Sequence, residues 1–394
     1  MRALRLFLLL VALAGCSDSR DRGPDPAPGN DGSVRDPDVA TLADTSVVPP
    51  SSGGSDAASD PGHDASPSVE DPRDAGDPSD AAAVGDAGDP IACAPMPEPC
   101  EGDTVVRGDV VVATAADVDA LSGITCIDGN VRLEGDALRA LVLPSLRRIT
   151  GNLLGQFLGG LETIELACVE RVADFVLIGN DRLAALRMPR LVRSERIAVR
   201  GGEALATLEL DALERAGSIS LWLLPSLVRA DLRRLSSASH GVEASQLDAL
   251  VELGLDSLRT VGTVSVEHDA LLETLDLPSL ETGSLLVQEA PALRVLSAPA
   301  LGEAESISIY GARSLEVVRL GALRTVGDAL RLGGATASET LDLASLETVR
   351  GSLEISFSRM PILSLPRLIS VGHTGLGFIP EGDFGVSDTQ LDAI

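Results

Sequence analysis

Short apolar runs recur along this chain at a spacing of about 22 residues. They begin at Val110, Val131, Leu153, Phe175, Ile197, Ile219, Val242, Val264, Leu285, Ile307, Leu330, Leu353 and Leu376, and successive starts lie 21 to 23 residues apart. Self-similarity at this period marks a solenoid, in which each repeat is one coil stacked on the last. A well-kept repeat, Leu272–Val287, alternates apolar and polar positions at Leu275/Leu277 and again at Leu285/Val287. Alternation with period two sends one side chain inward and the next outward, so each segment predicts a short strand. Leu141/Leu143, Leu208/Leu210, Leu253/Leu255 and Leu341/Leu343 repeat the first segment, and Val131/Leu133, Ile197/Val199, Ile307/Ile309 and Leu353/Ile355 repeat the second. Lone apolar residues such as Ile149, Val172, Val261, Val326, Val349 and Val371 mark a third side. Pro144, Pro189, Pro278, Pro299 and Pro366 follow the Leu-x-Leu strand, where a fixed φ and a missing N–H suit a corner. Gly129, Gly151, Gly262, Gly327 and Gly351 suit the corner before the next strand.

Three short sides leave no room for a helix of ordinary length, whereas a typical leucine-rich repeat carries a helix or 3₁₀ segment on its convex side. The expected fold is therefore all-β: a right-handed β-solenoid of about 12 coils with a triangular section. At ~4.8 Å per coil the rod measures roughly 57 Å. An aromatic content of 2% agrees with a narrow interior. The pattern divides the chain into a leader (1–15), a tether (16–92), a cap with the first coil (93–130), the repeats (131–380) and a C-terminal cap or tail (381–394).

In the leader, Arg2 and Arg5 precede an apolar stretch, Leu6–Leu13, and Leu13-Ala14-Gly15-Cys16 follows. The stretch is too short to span a bilayer. It resembles the lipobox of bacterial lipoproteins. That resemblance implies cleavage before Cys16 and acylation of its thiol and new amino group, which anchors stably because several chains sit on one residue. Ser17, where Asp would favour inner-membrane retention in some bacteria, points to the outer membrane. The alternative is an ordinary cleaved signal peptide. Residues 17–92 hold 16 Asp and 1 Glu against 4 Arg, with little that is bulky and apolar, so a disordered, self-repelling spacer is expected. With the two arginines of the leader, this leaves −17 of the total −28 on residues 93–394. An acidic rod argues against nucleic acid and against direct docking on anionic lipid. Its contact with a membrane is expected through the anchor on Cys16.

Four cysteines remain: Cys93, Cys100, Cys126 and Cys168. In an exported chain they invite disulfides. Cys126 and Cys168 fall at nearly the same point of coils two apart, hence ~9–10 Å from each other. That exceeds the roughly 7 Å a disulfide spans, so one of the three pairings is excluded and two stay open. The segment Leu121-Ser122-Gly123-Ile124-Thr125-Cys126-Ile127-Asp128-Gly129-Asn130-Val131-Arg132-Leu133, with Cys100 ahead of it, resembles the start of a receptor L domain. The resemblance then runs loosely through about residues 100–380. It implies a right-handed β-helix used for binding or adhesion without catalysis, and a Cys100–Cys126 disulfide. The Leu-x-Leu-Pro units are also similar to leucine-rich repeats of bacterial surface antigens. No ligand residues carry over, since this chain has more coils than one L domain and no cysteine-rich domain between halves.

Binding chemistry is expected on the outward columns. The fourth position of one strand reads Glu134, Gln156, Ile178, Arg200, Trp222, Ser245, Glu267, Gln288, Tyr310, Gly333, Ser356, Ile379. It holds the only Trp and the only Tyr of the chain, four coils or ~19 Å apart. Exposed aromatics beside Arg200, Glu267 and Gln288 suit stacking on a sugar or gripping a protein. Chance placement, packing under a neighbouring loop or a dimer contact is the plainer alternative. A second column, in the middle of Leu-x-Leu, is mainly acidic: Glu165, Glu209, Asp231, Asp276 and Asp342, interrupted by Arg187 and Arg319. A solvated face is the expected reading. His240, His268 and His373 show no metal spacing, and the sequence carries no nucleophile motif or phosphate loop. Polysaccharide-acting enzymes also use β-helices, so fold alone decides nothing. The expectation is a non-catalytic, cofactor-free, surface-anchored recognition or adhesion module for a protein or glycan. A structural envelope component is the second reading and a polysaccharide-acting enzyme the third.

Overall fold

A computed structural model describes residues 93, 100, 104–334, 340–356 and 364–372. The leader, Cys16, the tether, His373, the coil starting at Leu376, Ile379 and the tail 381–394 lie outside the described residues.

The chain winds as a β-solenoid of about 12 turns. Each strand pairs in parallel with its counterpart one coil away. The Leu-x-Leu strands form one side, as a six-stranded sheet from Ala140–Val142 to Glu252–Gly254 and a four-stranded sheet from Thr274–Asp276 to Thr340–Asp342. The other strands share a single 19-stranded sheet.

That long sheet corrects the expectation of three separate short sides. In six coils the lone-apolar side and the next side run together as one strand: Arg171–Ile178, Arg193–Arg200, Arg215–Trp222, Ser237–Ser245, Thr260–Glu267 and Thr282–Gln288. Gly262 accordingly lies inside a strand that continues through the corner. Elsewhere the strand is split, as in Arg148–Ile149 with Leu153–Gln156, or Glu303–Ala304 with Ile307–Tyr310.

Inward residues form one continuous core. Phe175, Ile197, Ile219, Val242, Val264, Leu285 and Ile307 stack in register, each essentially inaccessible to solvent. Burying each such side chain contributes about 1.5–3 kcal/mol. The prolines sit in the turns after the Leu-x-Leu strands. At the split corners, stacking leaves no space for a side chain: a Cβ on Gly151 would meet the Gly129 carbonyl oxygen at 2.7 Å.

An Asx ladder closes the first split corners. The backbone and side-chain N–H groups of Asn130 both donate to Asp109 Oδ1 at 2.9 Å. These bonds hold the Asp109 carboxyl below its ordinary pKa. Asn152 N–H donates to Asn130 Oδ1 at 2.9 Å, and Asp174 N–H to Asn152 Oδ1 at 3.1 Å. Side chains thus take up N–H groups that strand pairing would otherwise satisfy.

The opposite corner has a different device. The residue after each outward fourth position is left-handed: Phe157 (φ 54°), Leu223 (56°), Gln246 (55°), His268 (59°) and Glu289 (51°), with Gly179, Gly201 and Gly311 in the same column. For L residues this conformation costs roughly 1–2 kcal/mol each, an expense met by the stacked core around them.

A six-residue helix, Ala115–Ala120, interrupts the first coil. Thr114 caps it, and Asp117 returns the bond to the Thr114 backbone in a capping box. At six residues it is shorter than the helix of ordinary length that the coils were expected to exclude. The cysteines join as Cys93–Cys168 and Cys100–Cys126, with Cα–Cα distances of 5.8 and 5.9 Å. The second pair is the one implied by the L-domain resemblance. Cys126 and Cys168 do not stand at nearly the same point of their coils, contrary to expectation. Cys126 aligns through Arg148 with Arg171, three residues past Cys168, so the two cysteines do not share a column.

Candidate functional site

The strand register places the expected column in one row. Arg200 pairs with Trp222, Trp222 with Ser245, Ser245 with Glu267, Glu267 with Gln288, and Gln288 with Tyr310. Trp222 and Tyr310 are therefore four coils apart on the same edge of the long sheet. Tyr310 is 41% exposed and Trp222 is half-buried. The left-handed residue that follows each row position turns the chain away, so the row forms a rim.

Beside this rim lies an open groove of about 260 Å³ on the outer face of the central coils. Its floor is made of short outward side chains, among them Ala198, Ser218, Ser220, Thr263 and Ser265, together with the bare backbone of Gly241. Its ends are charged: Arg196 and Arg200 on one coil, Glu243 and Glu267 on the later ones. Arg200 Nε donates to Ser220 Oγ at 3.0 Å, and Ser220 donates to Glu243 Oε2 at 2.6 Å. Arg200 Nη2 stands 3.6 Å from the same Glu243 oxygen. Ser265 donates to Glu267 Oε1 at 2.5 Å, and Arg196 is 3.8 Å from Asp174. These contacts hold the charged groups in fixed positions, with hydroxyls between them that donate and accept.

A bulge shapes one wall. Ser218 pairs with Gly241, and the register slips between Ala238 and Val242, which brings His240 to the groove. The 23-residue step from Ile219 to Val242, against 22 for each of the four steps before it, is its sequence signature.

The chain matches no protein-family model, no curated protein and no solved structure. The resemblance to receptor L domains gains no support from these comparisons, and the groove stands on its own geometry.

Of the five expected binding residues, the groove brings together Arg200 and Glu267. Trp222, Gln288 and Tyr310 share their row without lining it. Arg196, Ser220, His240 and Glu243 were missed by sequence reasoning. They lie on neighbouring outward rows with no unusual composition, and only the run of small residues facing out between them marked the place.

Ion pairs join part of the acidic column to its neighbours. Arg187 pairs in register with Glu165 and Glu209, and its Nε lies 3.1 Å from Glu209. Arg233 contacts Asp231 at 3.5 Å and Asp256 at 3.4 Å, bonds Glu252, and lies across Gly254. Among the described residues, no group of three or more His, Cys, Asp or Glu is placed to hold a metal ion.

Proposed function

We propose that this protein is a non-catalytic recognition module, lipid-anchored at Cys16 to a bacterial outer membrane and held off it by the 17–92 tether. The ligand class we propose is a saccharide of the cell envelope or surroundings. The observation that carries this reading is the pairing of the aromatic row with the hydroxyl-floored groove. Trp222 supplies an aromatic side chain on the row beside the groove, while Ser218, Ser220 and Ser265 place hydroxyls along it, with Arg200 and Glu267 at either end. A groove so open and polar suits a chain of hydroxyls better than an apolar protein anchor, which needs a desolvated pocket. The likeness of Cys100–Leu133 to a receptor L-domain start supports binding over catalysis.

The test is binding of the full chain to a glycan array and to envelope polysaccharide. Trp222→Ala combined with Tyr310→Ala is expected to weaken the strongest interaction by about tenfold or more, near 1.4 kcal/mol. Binding unchanged in that variant sinks the aromatic-row reading. Failure to bind any saccharide, together with capture of a purified envelope protein, moves the ligand class to protein. Retention of Cys16→Ser in the membrane fraction overturns the anchor.

A further inference from the structure

Asn180 and Asp269 occupy the same corner of two different coils. Each follows an outward row position by two residues and a left-handed residue, Gly179 or His268, by one. Both are buried, at 2% and 0% exposure. Each accepts through Oδ1 a backbone N–H from one coil earlier: Leu158 to Asn180 at 3.0 Å, Leu247 to Asp269 at 2.8 Å. The corners they hold correspond as well, since Phe157 and Gln246 are both left-handed.

They differ in the second atom of the side chain. Asn180 Nδ2 donates to the Gly155 carbonyl at 3.2 Å. The register carries Gly155 through Leu177, Val199 and Leu221 to Ala244, so the Ala244 carbonyl is its counterpart for Asp269. Asp269 Oδ2 is buried and has no hydrogen-bond partner. As a carboxylate it would leave a bare oxygen where the other coil has a donor. As a carboxylic acid it has the planar shape of the amide, with an O–H in the donor's place.

The surroundings disfavour the charge. Asp248 and Glu267 are like-charged neighbours, His268 precedes it in the chain, and Glu289 stands one coil on at the position of His268. Burial above all, and then the Asp248 and Glu267 carboxylates, push the Asp269 carboxyl up to about 7 against the opposing pull of the Leu247 N–H.

We infer that Asp269 is held in the fold as a neutral carboxylic acid whose O–H donates to the Ala244 carbonyl, and that losing this proton unlocks the corner Ala244–Leu247. That corner directly follows Glu243, so the groove wall is the part of the molecule that responds. The folded state binds the proton more tightly than the unfolded chain, whose carboxyl titrates near 3.8. Stability from this residue is therefore full at acid pH, falls as pH rises between the two values, and is flat above.

The test follows amide exchange at Leu247 in the full chain, corrected for intrinsic rate, from acid to mildly alkaline pH. The opening equilibrium of the corner is expected to rise by up to about tenfold per pH unit between about pH 4 and about pH 7. Asp269→Asn is expected to abolish that slope, hold the alkaline value at the acid one, and remove an infrared band of a protonated carboxyl seen at neutral pH. Asn180→Asp is expected to create the same slope at Leu158. A pH slope that persists in D269N overturns the inference. So does a D269N chain that opens more readily than the native one at neutral pH or fails to fold, or an N180D chain whose Leu158 exchange shows no new slope.

Discussion

The central coils, from Arg171 to Gln288, and the coils on either side solve one problem in two ways. Both must turn a parallel strand through a corner while keeping each N–H bonded. The central coils keep the strand continuous over seven to nine residues, so the ladder passes through the corner. The flanking coils break it and bridge the gap with side chains: Asp109, Asn130 and Asn152 at one end, and Ser284 to the Ser306 N–H at the other. The difference fixes where a groove can form. A continuous strand presents three adjacent outward rows, enough width for a floor with walls, whereas a split strand interrupts the surface at each turn.

Substitutions in the core should be blind to this contrast, because the inward column is uninterrupted. Ile197→Ala in the centre and Ile307→Ala in the flank, both fully buried, are each expected to cost about 2–5 kcal/mol in urea unfolding. A markedly cheaper central variant would show that the two regions do not share one packed core. Corner substitutions should separate them. Asn130→Ala removes an acceptor from the Asn152 N–H and a donor to Asp109, and is expected to cost about 1–3 kcal/mol. Ser218→Ala lies in the same column within a continuous strand, and its effect is expected to stay within about 0.5 kcal/mol. Equal losses would mean that the Asx ladder is ornamental. One corner substitution has the opposite sign. Gln246→Gly relieves a left-handed backbone at φ 55° and is expected to raise stability by up to about 1 kcal/mol. Differential scanning calorimetry reads it, and a loss of stability would show that the Gln246 side chain holds the corner.

The repeat, the inward columns and the outward row were legible because each depends on period alone. Leu275 and Leu277, once assigned to a strand, locate every counterpart, and Trp222 and Tyr310 then fall on one row by counting. The merging of two sides was not legible, since Val172 or Val261 reads the same whether its strand stops or continues. The left-handed column was hidden for another reason. Leu223, Gln246 and His268 have no intrinsic preference for that conformation, which is imposed by the stack rather than by the residue. Asp269 reads as one more surface acid among many. Only its alignment with Asn180, 89 positions earlier, reveals that it is an interior group.

The Cys93–Cys168 bond has a mechanical consequence. It closes a covalent loop across 75 residues. Tension applied to the chain ahead of Cys93 passes through the sulfurs directly to Cys168, at the turn between Leu166 and Val169. Everything between the two cysteines, including the helix, the Asx ladder as far as Asn152 and the Cys100–Cys126 bond, lies off the line of force. A pull along the chain would peel the solenoid from its third coil onward, and the extension released would fall short by the length of that loop. The first coils act as a slack-free knot where the chain enters the fold, and the groove beyond them sits on the side that such a pull would load.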